Sequence, residues 1–246
     1  MTDVKATRAR SARPIQATEA EEIYGIHRWG AGYFDVGPEG QLRVRPEKTD
    51  DRFVDLPQVV ADLRKKRLAT PLVLRFPQMI ETQVRLLHEA FDHAIERFGY
   101  AGRYRGVFPI KVCQMEPFLS KLVECGGERR YGLETGTKPE LALALGSSLP
   151  TGSLIVVNGY KDAAYVELAL AGMRIGYEVV IVVEKFHELD LVLKTAKRMG
   201  VQPWLGLRLR VHARGTGKWA RSGGSASKFG LNTGELLEAV EECRRQ

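Results

Sequence analysis

From residue 104 onward, apolar β-branched runs alternate with segments of helical spacing. The runs are YRGVFPIKV, RYGLE, SLIVVN, EVVIVVE and WLGLRLRV. A parallel strand re-enters its sheet only through a long crossover, usually a helix, so this alternation predicts βα units around a parallel sheet. Thr137 and Glu140 have the spacing of a capping box that opens one helix. Gly126, Gly176 and Gly200 stand where helices should stop. Upstream, Ile80, Val84, Leu87, Phe91, Ile95 and Phe98 recur at steps of three and four, the pattern of one helical face, and Gly99 ends it. Asp55 precedes Leu56, Val59, Val60 and Leu63, a cap followed by helical spacing. PLVLRF at 71–76 is strand-like, and the aromatic, Gly-punctuated stretch 24–46 predicts short strands and turns.

One polar residue interrupts or ends each apolar run: Lys111, Glu134, Asn158, Glu184 and Arg208. They are separated by 23, 24, 26 and 24 residues. Even spacing suits a barrel, in which each unit turns by the same amount. In parallel α/β folds the C-terminal strand ends face the active site. Taken singly, each residue would simply mark where a strand leaves the core. Taken together, the five predict a shared site. A closed barrel needs eight units. The sequence holds five clear ones, with PLVLRF a further candidate, and then enters a helix that Asn232 and Glu235 would cap. The expectation is a partial (β/α)8 barrel of about five to six βα units. An unclosed barrel would leave two sheet edges bare, so the chain reads as part of a longer enzyme.

Composition narrows the function classes. Hydrophobic residues make up 44% and charged residues 27%, an ordinary globular balance that argues against a largely disordered chain. No apolar run approaches the ~18 residues of a membrane span, and the first residues lack the apolar region of a secretory signal. The formal net charge is +7, but the basic residues are scattered and no aromatic-rich module accompanies them, so nucleic-acid binding is not expected. Cys113, Cys125 and Cys243 are odd in number and form no C-x-x-C pair, which suits a reduced cytoplasmic setting.

GTGKW at 215–219 fails as a phosphate loop, because His212 stands where Gly is needed and Trp219 where Ser or Thr is needed. The Gly-, Ser- and cation-rich run around it reads as a long loop of the kind that is functional or disordered. The five histidines show no metal-ligand spacing and read as surface or structural, so no metal site is assigned. Lys111 has two readings. Desolvation among apolar neighbours would lower its pKa and make its amine a nucleophile for Schiff-base chemistry. Alternatively, it is a snorkelling or exposed lysine just past a strand end.

The motifs VFPIKVCQ, GLETGTKPEL, VVNGYKD, VVEK, LGLRLR and GTGKW…SGG…SKFGL occur in this order, with RWGAGYFDV and LRFPQMI upstream. Together they resemble the biosynthetic, SpeA-type arginine decarboxylases, fold type III enzymes of the alanine-racemase-like class. The resemblance spans about residues 22–246.

It implies a pyridoxal-phosphate-binding barrel and a β domain to which an N-terminal segment contributes. The implied domains are a disordered tail at 1–20, a β-domain segment at 21–70 and the partial barrel at 71–246. Lys111 would carry the cofactor, with Arg208 beside it as a second catalytic residue. Glu134, Glu140 and Asn158 would join Lys111 and Arg208 in binding the cofactor, and Lys228, Phe229 and Gly230 would form a turn. The implied activity converts L-arginine to agmatine and CO2 for putrescine and spermidine synthesis, in a cytoplasmic homo-oligomer that also uses magnesium. Related ornithine or diaminopimelate decarboxylases and a non-catalytic module of the same fold are the alternatives. Cys113 departs from the family's usual Asn and removes an amide hydrogen bond beside Lys111.

Overall fold

The computed structural model describes residues 14–49, 51–210 and 230–245. The chain separates into two compact units, Met1–Thr82 and Gln83–Gln246. The sequence reading put the boundary at 70/71 instead.

In the first unit, α1 (Ala17–Ile23) and α2 (Ile26–Trp29) precede a three-stranded antiparallel sheet of β1 (Phe34–Val36), β2 (Leu42–Val44) and β3 (Val54–Asp55). α1 begins inside the stretch read as a tail. It is itself tied to the sheet, because Glu21 Oε1 accepts from the Val36 N–H at 2.9 Å. Val44 is fully buried. Opposite Arg43 in the ladder, Asp35 accepts from Arg43 Nε at 2.8 Å and pairs with Arg45 as well. Burial alone would raise the Asp35 pKa, but the two guanidiniums outweigh it and hold the carboxyl below its ordinary value. α3 (Leu56–Lys65) starts as predicted, with Asp55 accepting from the Gln58 N–H at 3.0 Å.

PLVLRF does not form a strand. Exposure alternates along it, yet it pairs with no strand among the described residues, and a strand exists only through its ladder. The long helix α4 (Gln78–Phe98) forms as predicted, but not its predicted face. Val84 and His88 are buried, whereas Leu87, Phe91 and Phe98 are exposed. His88 is structural: Nδ1 lies 2.9 Å from the Val84 carbonyl, and the ring meets Tyr104 and Tyr131 edge-on.

The second unit contains the five predicted strands in order. β4 (Val107–Pro109), β5 (Gly132–Thr135), β6 (Leu154–Val157), β7 (Glu178–Val183) and β8 (Trp204–Leu207) pair in parallel, each with the next. α5 (Glu116–Gly126), α6 (Lys138–Gly146), α7 (Ala163–Arg174) and α8 (Phe186–Met199) are the crossovers, and α9 (Thr233–Arg245) follows β8. Sheet order that never reverses is the order of a barrel segment, because a doubly wound sheet must double back at a switch point.

Burial alternates along β7. Val179, Ile181 and Val183 are buried, while Glu178, Val180 and Val182 are half-exposed. The crossover helices bury Leu119, Leu122, Leu141, Val166, Leu170, Leu189 and Val192. Each such side chain contributes about 1.5–3 kcal/mol through the water it leaves.

Asn232 and Glu235 form the reciprocal cap expected at α9, with N–H to carboxylate and N–H to amide distances of 2.8 and 3.0 Å. At the N-terminal edge of the sheet, Arg105 donates to the Gly152 carbonyl at 2.8 Å and pairs with Glu178, the first residue of β7.

Candidate active site

The opposite edge of the sheet carries a cavity of about 650 Å3. Its walls come from the ends of all five strands: Pro109 and Lys111, Glu134 and Gly136, Asn158 and Gly159, Val182 and Glu184, and Arg208. All five polar strand-end residues are therefore brought together, as their spacing predicted. A cavity of this size suits a small-molecule ligand.

Lys111 is not on the strand. β4 ends at Pro109, and Ile110–Val112 form a 3-10 turn. Lys111 is exposed just past the strand end, the second of its two sequence readings, and the burial suggested by its apolar neighbours is not there. Ile110 takes the buried position instead. Among the described residues no group is recorded pairing with the Lys111 ammonium, which leaves the amine open to the cavity. Cys113 follows the turn half-buried, its N–H donating to the Ile110 carbonyl at 3.0 Å.

The other polar residues are tied together from strand to strand. Asn158 Nδ2 donates to Glu134 Oε1 at 2.8 Å. Arg208 Nη1 donates to Glu184 Oε1 at 2.8 Å. The exposures in that second pair are unequal: 45% for the Arg208 side chain against 2% for that of Glu184.

Glu140, read as a cofactor ligand, does not line the cavity. It stands one layer behind, where Oε2 accepts from the Gly136 N–H at 2.6 Å and Oε1 lies 3.5 Å from Gln114 Nε2. The predicted cap at Thr137 forms, with Thr137 Oγ1 accepting from the Glu140 N–H at 3.4 Å, while the return bond from the Glu140 side chain goes to Gly136, one residue earlier.

Gly159 has φ +75°, and a Cβ there would run into the Gly136 carbonyl, so the loops after β5 and β6 touch backbone to backbone. Beneath them Tyr165 OH lies 3.2 Å from both Thr135 Oγ1 and the Asn158 carbonyl. Burial pushes the Tyr165 phenol up to about 12.

Sequence reasoning missed the layer under the cavity floor. Lys161 and Glu188 are buried together, Nζ and Oε2 being 4.0 Å apart. Lys161 also donates to the Gly159 carbonyl at 2.6 Å. Desolvation drives its pKa down, while Glu188 and Glu184 oppose that shift. The only available signal was a lysine within VVNGYKD, which local pattern cannot tell from a surface residue. Of the predicted turn at 228–230, Lys228 and Phe229 lie outside the described residues, as does the GTGKW loop. Gly230 is described, and its carbonyl accepts from Arg210 Nη2 at 3.0 Å.

Residues 79–246 match the family model of the pyridoxal-dependent decarboxylases, specifically their pyridoxal binding domain. Similar curated proteins include the biosynthetic arginine decarboxylase of Pseudomonas aeruginosa, 43% identical over 227 residues, which are 92% of this chain and 35% of the relative. That of Gloeobacter violaceus is 39% identical over 226 residues, with the same two coverages. The chain spans about a third of the length of these relatives.

Among solved structures, the biosynthetic arginine decarboxylase SpeA of Campylobacter jejuni superimposes with a TM-score of 0.77 at 31% identity, covering 90% of this chain and 35% of that one. A diaminopimelate decarboxylase from M. jannaschi gives 0.65 at 19% identity, covering 88% and 45%, a likeness of fold.

Proposed function

The chain belongs to the pyridoxal-dependent decarboxylase family, and from that premise we propose that it forms the cofactor-binding part of an arginine decarboxylase, an enzyme that releases CO2 from L-arginine and leaves agmatine. One observation carries the reading: the open amine of Lys111 lies at a cavity on which five polar strand ends converge. That donor set fits pyridoxal phosphate. It offers an amine for the aldehyde, a guanidinium for an anionic group, and polar side chains to orient the ring.

When bound, the cofactor supplies the electron sink for the pair left behind by the departing carboxylate. The chain's own residues hold and orient. Lys111 would hold the cofactor covalently. Arg208 would offer its guanidinium to an anionic oxygen of cofactor or substrate. Glu134 and Asn158, each fixed by the other, would direct polar edges at the ligand. Pro109 and Val182 line the cavity with apolar surface and help to exclude water.

Among the described residues no three His, Cys, Asp or Glu side chains gather to hold a metal ion, so no step is routed through magnesium. No helix of the described residues is long and apolar enough to cross a membrane. The proposal extends to a cytoplasmic homo-oligomer that feeds polyamine synthesis.

The test is borohydride reduction in the presence of pyridoxal phosphate, followed by peptide mapping. The expected result is a reduced adduct on Lys111. A folded chain that leaves Lys111 unlabelled overturns the reading. Assays of CO2 release from arginine, ornithine and diaminopimelate by the full-length enzyme then test the substrate, with arginine expected to lead.

A further inference from the structure

We propose that Glu184 is a positioning residue that holds the Arg208 guanidinium at the cavity, itself fixed from behind by Glu188 and Lys161. The inference rests on the reading of this cavity as a ligand site. Its first support is the unequal burial of the pair, one end anchored in the wall and the other half-exposed. An arginine tethered only by solvent would sample many rotamers. A charge-assisted bond to a buried carboxylate selects one of them.

The carboxylate cannot easily follow the arginine, because its surroundings are tied down. Glu184 Oε1 also lies 3.4 Å from the Gly159 N–H. The Glu184 and Lys185 backbone N–H groups both donate to Glu188 Oε2, at 2.8 and 3.2 Å. Glu188 Oε1 accepts from the Lys161 N–H at 3.2 Å, so a single buried carboxylate joins the loops after β6 and β7. The buried Lys161 ammonium neutralises part of this acidic cluster from below. Two cations and two carboxylates balance, which is the condition for burying any of them.

The sheet does not need the pair for its own cohesion. β7 and β8 already pair at four register positions, and the Arg208 N–H donates to the Val183 carbonyl at 3.0 Å. Glu184 Oε2 remains buried with no hydrogen-bond partner among the described residues. A buried polar atom left in that state is an uncommon expense for a purely structural contact.

The test uses E184Q, R208Q and the double variant of the whole chain, with two readouts. The first needs no cofactor. In 15N-detected NMR, the Arg208 guanidinium should rotate slowly in the parent and freely in E184Q. Free rotation already in the parent would overturn the proposal.

The second is pyridoxal phosphate affinity. E184Q should weaken binding about tenfold. In the R208Q background the same change should alter affinity by less than about twofold, because the residue through which it acts is gone. Equal losses in both backgrounds would overturn the proposal, since Glu184 would then act independently of Arg208. R208Q strands a buried carboxylate, and if it does not fold the guanidinium signal of E184Q decides alone. A parent chain with a held guanidinium and no affinity for pyridoxal phosphate would sink the cofactor reading while supporting the positioning role.

Discussion

The two ends of the parallel sheet use charge in opposite ways. At the N-terminal edge, Arg105 is engaged by the Gly152 carbonyl and the Glu178 carboxylate, so its interactions stay inside the protein. At the C-terminal edge, Lys111 is exposed, Arg208 is half-exposed, and one oxygen of buried Glu184 lacks a partner among the described residues. Residues of the same chemical kind thus serve cohesion at one edge and line an open cavity at the other. What separates them is how far the groups reach the surface, with Arg105 less exposed than Arg208.

This contrast can be broken by substitution. The largest expected effect is at Lys111. K111A should abolish the borohydride-trapped pyridoxal phosphate adduct, yet shift stability by no more than about 0.5 kcal/mol, because the side chain is exposed. Peptide mapping and thermal melts check both halves, and a persistent adduct at another lysine would count against the assignment.

R105A should show the reverse. Losing hydrogen bonds to a charged group should cost about 1.5–3 kcal/mol in denaturant titration, with trapping at Lys111 intact. If R105A lost trapping and kept its stability, the division of labour between the edges would be wrong.

Y165F sharpens the comparison within the ligand edge, since Tyr165 lies under the site rather than in it. Removing its hydroxyl should cost about 1 kcal/mol and leave the adduct in place.

The same residue supplies a pH signature. Its folded pKa, about 12, is raised above the ordinary 10.0. The stability it contributes is therefore complete below pH 10 and lost as pH climbs through about 12. Melts over that window should show a falling component that Y165F lacks. Identical pH curves for the two proteins would remove Tyr165 from the account.

Much of the barrel segment was legible because its signals are local. Each β-branched run carries its own strand propensity, and each βα unit has a similar length, so Lys111, Glu134, Asn158, Glu184 and Arg208 could be lined up before any coordinates. The failures share a cause as well. PLVLRF has the side chains of a strand, but pairing depends on a partner elsewhere in the chain. The apolar stripe on α4 is visible in the sequence, whereas which of its residues the fold buries is not.

Lys111 had two readings from the apolar residues around it, buried on a strand or exposed just past a strand end, and the second is the one observed. Its position follows from the 3-10 turn that begins just after Pro109. Glu140 was placed in the site on resemblance, whereas its contact with the Gly136 backbone N–H depends on how the loop after β5 meets α6. Lys161 and Glu188 are 27 residues apart, so their burial together belongs to the tertiary fold and leaves no local pattern.

The close approach of Gly159 to Gly136 carries a lesson for directed evolution. A methyl group on Gly159 has no room against the Gly136 carbonyl, so this position cannot be bulked up without displacing the neighbouring loop. Libraries meant to alter ligand preference should leave Gly159 fixed. Val182 is the better position to diversify: it faces the cavity from the middle of the sheet and its side chain is not committed to a hydrogen bond.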